Sequence, residues 1–184
     1  NLKYTRKTCD NSVRFRVGIR RFECISADDG SNSEEDLYGR IGILASNGCK
    51  VFEDPSMREV PTSAPAGSNI NPFPNIWEVP DDGAHVGVSA GKKVAISGVP
   101  KIVQVPFNLI KTATVQFVSD GKTPSGGRRG IMEYDPRSED EIYTPGVIAP
   151  FLLSKAYYNP VEVKQRFTQG SSKLDVVYYI VRAQ

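Results

Sequence analysis

Residues 12 to 44 constrain the fold more than any other part of the chain. Val13, Phe15, Val17 and Ile19 alternate with Ser12, Arg14, Arg16 and Gly18. That is the period of two of a half-buried strand, because successive side chains leave a pleated backbone on opposite faces. After Arg20 and Arg21 the apolar set changes parity, to Phe22 and Cys24. One extra residue at Arg20-Arg21 returns both halves to the same face, so the sequence predicts a β-bulge there. Leu37, Gly39, Ile41 and Ile43 then face one way, with Tyr38, Arg40 and Gly42 on the other side of a second strand. Asn47-Gly48 predicts a hairpin turn into the apolar run at 49–53.

The remaining periodic segments are short and bounded by turn residues. They predict strands near 76–79, 84–89, 92–97, 101–107, 112–119, 131–134, 161–168 and 174–182. Only 147–157 has helical character, and Pro145, Pro150 and Pro160 fence it. Residues 54–75 are rich in proline and lack periodicity, which predicts a long loop excursion. Residues 119–130 and 135–141 read as a glycine-rich and a charged loop. Roughly nine to eleven short strands with this punctuation imply an all-β fold, an antiparallel β-sandwich formed as a single domain over 1–184.

Catalytic chemistry has little to work with. His85 is the single histidine, and no nucleophile elbow, zinc-protease, phosphate-loop or dinucleotide motif occurs. Glu133 and Asp135 share one face of a predicted strand at ~7 Å spacing, but Trp77 is the one tryptophan on which a sugar could stack. The expectation is a non-enzyme. A pI near 8.4 and a net charge of +2 fall short of a nucleic-acid-binding domain. No apolar run is long enough for a transmembrane helix. The 16 Gly and 13 Pro resemble exported β domains, so a secreted or cell-surface location is expected. Cys9, Cys24 and Cys49 allow at most one disulfide, and Cys24 falls on the inward face of its strand, as a small buried hydrophobe does.

The segment between the two opening strands carries Asp28, Asp29, Glu34, Glu35 and Asp36. Calcium takes about six to eight oxygens, largely from carboxylates and backbone carbonyls of loops, which makes these five residues candidate metal ligands. Their spacing is not that of an EF-hand. Over the alternating strand, the acidic loop and Asp36-Leu37-Tyr38-Gly39, the chain resembles the C2-like family of β-sandwiches. The resemblance implies a sandwich fold and a calcium ion held by the aspartates of this loop. Leu37 stands where that family carries proline, and a D-x-D partner loop is absent; Asp81, Asp82 and Asp120 are the other loop aspartates at hand.

Arg14 and Arg16 on the first strand, Arg20 and Arg21 at the bulge, and Arg128 and Arg129 in the glycine-rich loop are candidate contacts to an anionic membrane surface or a protein partner. Phe73, between prolines, and Trp77 are the aromatic candidates for the same contact. These residues point to a binding or interaction module, calcium-assisted in its membrane or partner targeting, of the kind used by toxins and effectors. The alternatives are a structural subunit of an oligomeric assembly and a carbohydrate-binding or carbohydrate-active domain.

Overall fold

A computed structural model describes Cys9 and residues 11–27, 34–48, 50–53, 59–60, 76–78, 85–96, 98–119, 130–135, 140–146 and 150–183. The long alternating segment is β1 (Ser12–Ser26), the centre of the first layer. It pairs on one edge with β14 (Ser172–Ala183) and on the other with β8 (Lys101–Pro106) and β7 (Lys93–Ala95). β8 carries β3 (Lys50–Glu53), and β3 carries β4 (Glu59–Val60). β14 carries β13 (Val161–Gln169), and β13 takes up the end of β11 (Glu141–Pro145).

β11 joins the two layers. Thr144 and Pro145 pair with β13, whereas Glu141 to Tyr143 pair with β10 (Ile131–Glu133). β10 in turn pairs with β2 (Glu34–Ser46), the spine of the second layer. The N-terminal part of β2 also holds β6 (Val86–Ser89); its C-terminal part holds β5 (Ile76–Glu78) and β9 (Thr114–Ser119), which carries β12 (Phe151–Leu152). Every pairing is antiparallel, and the strands form one continuous sheet folded into a sandwich.

The bulge falls where the sequence predicts it, as a register shift between Ile19 and Arg21 against β14. It has the expected consequence: Val13, Phe15, Val17, Ile19, Phe22 and Cys24 are all buried on one face. A second shift, between Cys24 and Ser26, has no counterpart in the hydrophobic pattern. The layers meet through Phe117 of β9 and Tyr178 of β14, whose rings stack with centroids 3.9 Å apart. Beside them Gln165 of β13 reaches across to β9. Its carbonyl accepts from the Phe117 N–H at 2.9 Å and its amide donates to the Phe117 carbonyl, so one side chain satisfies both polar groups of a buried backbone unit.

Three local expectations are corrected. Asn47 does adopt the left-handed conformation, with φ 62°, but the turn it makes is no hairpin. β3 pairs with β8 rather than with β2, so the chain crosses from one layer to the other. The segment 147–157 forms no α-helix where it is described. Phe151–Leu152 is a strand and Leu153–Ala156 a single 3₁₀ turn that buries Leu153 and Ala156, because Pro150 and Pro160 leave too short a run for α-helical hydrogen bonding. β4 lies inside the expected proline-rich loop, and β11 begins at the last residue of the expected charged loop, in a stretch where the sequence pattern predicts no strand.

Gly39 is a further point of constraint. It sits in β2 at φ 120°, and a Cβ there would collide with the Gly130 carbonyl, which accepts from the Arg40 N–H at 2.9 Å. Only glycine lets the two backbones approach this closely.

Candidate functional site

The described part of the acidic segment, residues 34–36, begins β2, whereas the described arginines Arg14, Arg16, Arg20 and Arg21 lie on β1. Asp28 and Asp29, like Asp81, Asp82, Asp120, Phe73, Arg128 and Arg129, lie outside the described residues. Glu34, Glu35 and Asp36 are the first residues of β2, not of a turn, and strand alternation separates them. Glu34 is exposed and Asp36 partly so, whereas Glu35 is fully buried in the sandwich. There its carboxylate accepts from the Tyr143 hydroxyl at 2.8 Å and the Ser172 hydroxyl at 3.3 Å. Glu34, Glu35 and Asp36 therefore do not share one face, since Glu35 points inward. Among the described residues no group of three or more His, Cys, Asp or Glu is arranged to hold a metal ion.

Cys24 lies near the same buried pocket of polarity. Burial pushes its thiol up to about 11, and the carboxylates of Glu35 and Glu133 act in the same direction. Its thiol is free, while Cys9 is disulfide-bonded. Such a thiol is inert at neutral pH, as a packing residue should be. His85 precedes β6, where it is exposed and stacks on Tyr134 with centroids 4.3 Å apart. Tyr38, whose hydroxyl donates to Asp140, packs against the same imidazole in a tilted arrangement at 5.2 Å. No nucleophile joins this cluster among the described residues.

The expected contact residues divide sharply. Arg20 and Arg21 are spoken for by carboxylates on the outer face of the first layer. Arg21 pairs with Glu162 at 2.6 Å and Glu23 at 2.8 Å, and Arg20 pairs with Glu162 at 3.0 Å. Lys164 and Lys93 complete the network around Glu23, at 2.9 and 3.5 Å. The Lys164 and Arg21 hydrogen bonds hold the Glu23 carboxyl down at about 2. Trp77 is also corrected: it is buried, not presented to a partner. Its indole N–H donates to the Val99 carbonyl at 2.8 Å, its ring packs on Phe117, and Lys101 lies over it at 5.1 Å.

Arg14 behaves differently, and it leads to a site the sequence reading missed. Its guanidinium is exposed and rests over the Phe52 ring at 5.4 Å. It lines an open groove of about 750 Å³ at the end of the sandwich where β1 begins and β14 finishes. Arg182 lines the same groove, with its guanidinium 4.1 Å from the Tyr157 ring centroid. Tyr157 is braced by Phe107 at 6.4 Å and by Tyr158 at 4.8 Å, both edge-on, and its N–H donates to the Ser154 carbonyl. Tyr158 itself is 87% exposed and Phe107 49%. Lys155, over Phe151 at 5.6 Å, and Lys111 stand at this same end. None of Arg14, Lys111, Lys155 or Arg182 has a carboxylate partner among the described residues.

The groove lies where β1 begins, whereas Glu35 accepts from Ser172, next to the residue that pairs with Ser26 where β1 ends.

No family model matches the chain, and neither a curated protein nor a solved structure matches it. The C2-like resemblance therefore rests on residues 12 to 44 alone.

Proposed function

We propose that the chain is a non-catalytic targeting module that docks onto an anionic membrane surface by the end that holds the groove. The observation that carries this reading is the coincidence, at one end, of exposed apolar groups and cations that no described carboxylate neutralises. Phe107, Leu152 and Tyr158 stand beside Lys111, Lys155 and Arg182. Aromatic rings settle at the headgroup level of a bilayer because one part of the ring system is apolar and its tip tolerates water. Each basic residue near a negative surface adds about 1 kcal/mol of attraction, screened by salt.

The C2-like resemblance favours the other end, with calcium as a bridge between the acidic segment and the lipid. The groove end is preferred because cations and rings coincide there without a metal, while β2 turns Glu35 away from the surface at the acidic end. The disulfide at Cys9 supports an oxidising compartment and hence a secreted or cell-surface setting.

Sedimentation with vesicles tests the reading. The chain is expected to pellet with phosphatidylserine-containing vesicles at low salt, to stay in solution with pure phosphatidylcholine, and to be indifferent to a calcium chelator. Combining Lys155→Glu with Tyr158→Ala is expected to weaken binding by at least about tenfold. Failure to pellet at low salt, or binding that needs calcium and ignores the double variant, contradicts it.

A further inference from the structure

We infer that the outer edge of β13 pairs with the same edge of a second copy of this chain, joining two sandwiches through one continuous sheet across a two-fold axis at Val163. The pairing uses the side of the first layer and not the groove end, so it stands whether or not the chain docks on a membrane. β13 pairs with β14 along its whole length, from Val161 to Gln169 and without a register shift. On its other edge β11 pairs with only Phe167 and Thr168, and the Gly146 N–H then donates to the Arg166 carbonyl at 2.8 Å. That bond fixes which groups point outward. Alternate residues of a strand turn their N–H and C=O groups to the same edge, so those of Glu162 and Lys164 also face away from β14. Neither residue has a backbone partner on that edge among the described residues.

Charge on an edge strand, lysine above all, ordinarily prevents pairing with another chain. On this edge the charges fit a copy of themselves. Two antiparallel strands related by a two-fold axis must set outward-facing residues opposite one another, which leaves few registers. Centred on Glu162 or on Lys164, the pairing sets like charges directly opposite, which is destabilising. Centred on Val163, it sets Glu162 of each copy opposite Lys164 of the other, and each of these two pairs exchanges both of its backbone hydrogen bonds. The two Val163 residues then form the pair without hydrogen bonds, whose side chains stand closest. Val161 and Val163 lie on the core side of β13 and are only partly buried, so contact across the axis removes more of their surface from water. Glu162 and Lys164 stand on the opposite face, with side chains 36% and 51% exposed. Bonds to Arg21 and Glu23 already order both side chains, which lowers the entropy lost on pairing. The Lys164 ammonium uses one of its three donors on Glu23 and keeps the others for the partner's Glu162.

Sedimentation equilibrium of the intact chain, combined with amide hydrogen exchange, tests the pairing. A concentration-dependent monomer–dimer equilibrium is expected, with exchange at the Glu162 and Lys164 amides slowing as the dimer forms. Glu162→Lys and Lys164→Glu each set like charges opposite and are expected to weaken the dimer by about tenfold or more. Mixed in equal amounts, the two variants again bring opposite charges face to face and are expected to associate with each other. Both reversals also touch the bonds to Arg21 and Glu23, so Lys164→Pro supplies a separate check. It removes an outward N–H that β14 does not use, so the variant is expected to fold and to remain a monomer. A wild-type chain that stays monomeric at about 1 mM overturns the inference and leaves the edge to some other extended segment. A dimer that Lys164→Pro leaves intact, or that leaves exchange at Glu162 and Lys164 unchanged, also overturns it. Folded reversal variants that dimerise alone as readily as the wild type, or that fail to associate when mixed, overturn the register centred on Val163.

Discussion

Glu35 shows how a single position in a strand decides what a carboxylate is for. It belongs to an acidic run, yet two hydroxyls inside the sandwich hold it, and burying a carboxylate without such donors is costly. Replacing it leaves Tyr143 and Ser172 facing an amide in place of two acceptor oxygens. Glu35→Gln is expected to lower stability by about 1–3 kcal/mol, or several degrees in melting temperature for a chain of this size, equally in calcium and in chelator. An unchanged melting temperature in chelator contradicts a structural role. Glu23 gives the corresponding pH dependence. Its folded carboxyl titrates at about 2, well below its ordinary value of 4.5, because the Lys164 and Arg21 hydrogen bonds favour the ionised form, so folding gains wherever the carboxylate is ionised. The stabilisation is complete above about pH 4.5 and is lost as pH falls toward 2. Thermal unfolding between pH 6 and pH 2 should show this loss, and Glu23→Gln should flatten the acid limb while costing about 1–2 kcal/mol at neutral pH. An identical acid limb in the variant counts against the network of Arg21, Lys164 and Lys93.

At the level of elements, β1 and β2 were legible in the sequence because each buries one face completely, and a period of two survives even the bulge at Arg20. The same alternation, carried two residues further back from Leu37, would have placed Glu35 inside; the concentration of charge around it masked that parity. The hairpin at Asn47-Gly48 was misread for a different reason. A left-handed asparagine fixes the local bend, while the partner of the next strand is decided by where Val51 and Phe52 find a core to enter, here against β8. β12 and the short turn after it were hidden by prolines on both sides. The groove left no sequence signal at all, since Arg14, Tyr157 and Arg182 are far apart in the chain and meet only because β1 and β14 are antiparallel neighbours. The tie between layers is testable on its own. Gln165→Leu leaves the Phe117 N–H and carbonyl buried without partners and is expected to cost about 2–3 kcal/mol, more than a surface substitution of the same size. A loss below about half a kcal/mol contradicts it.

The whole molecule is a sandwich with chemically different ends. Charge on the broad outer face of the first layer is internally compensated through Glu23, Glu162 and Asp175, so that face offers little net attraction to a partner. The end where β1 begins exposes rings and cations that no described carboxylate compensates; the far end exposes Ile25, Glu34 and the His85–Tyr134 stack. A docking orientation follows from this polarity. Because Trp77, the one native tryptophan, is buried, it contributes a constant background to a fluorescence experiment on either end. The most direct test of the account is quenching by brominated anionic lipid of a tryptophan placed at Tyr158 or at Ile25, in the presence of a calcium chelator. The account predicts strong quenching of Tyr158→Trp and none beyond background for Ile25→Trp. Quenching at Ile25→Trp, or none at Tyr158→Trp in vesicles that bind the chain, contradicts it.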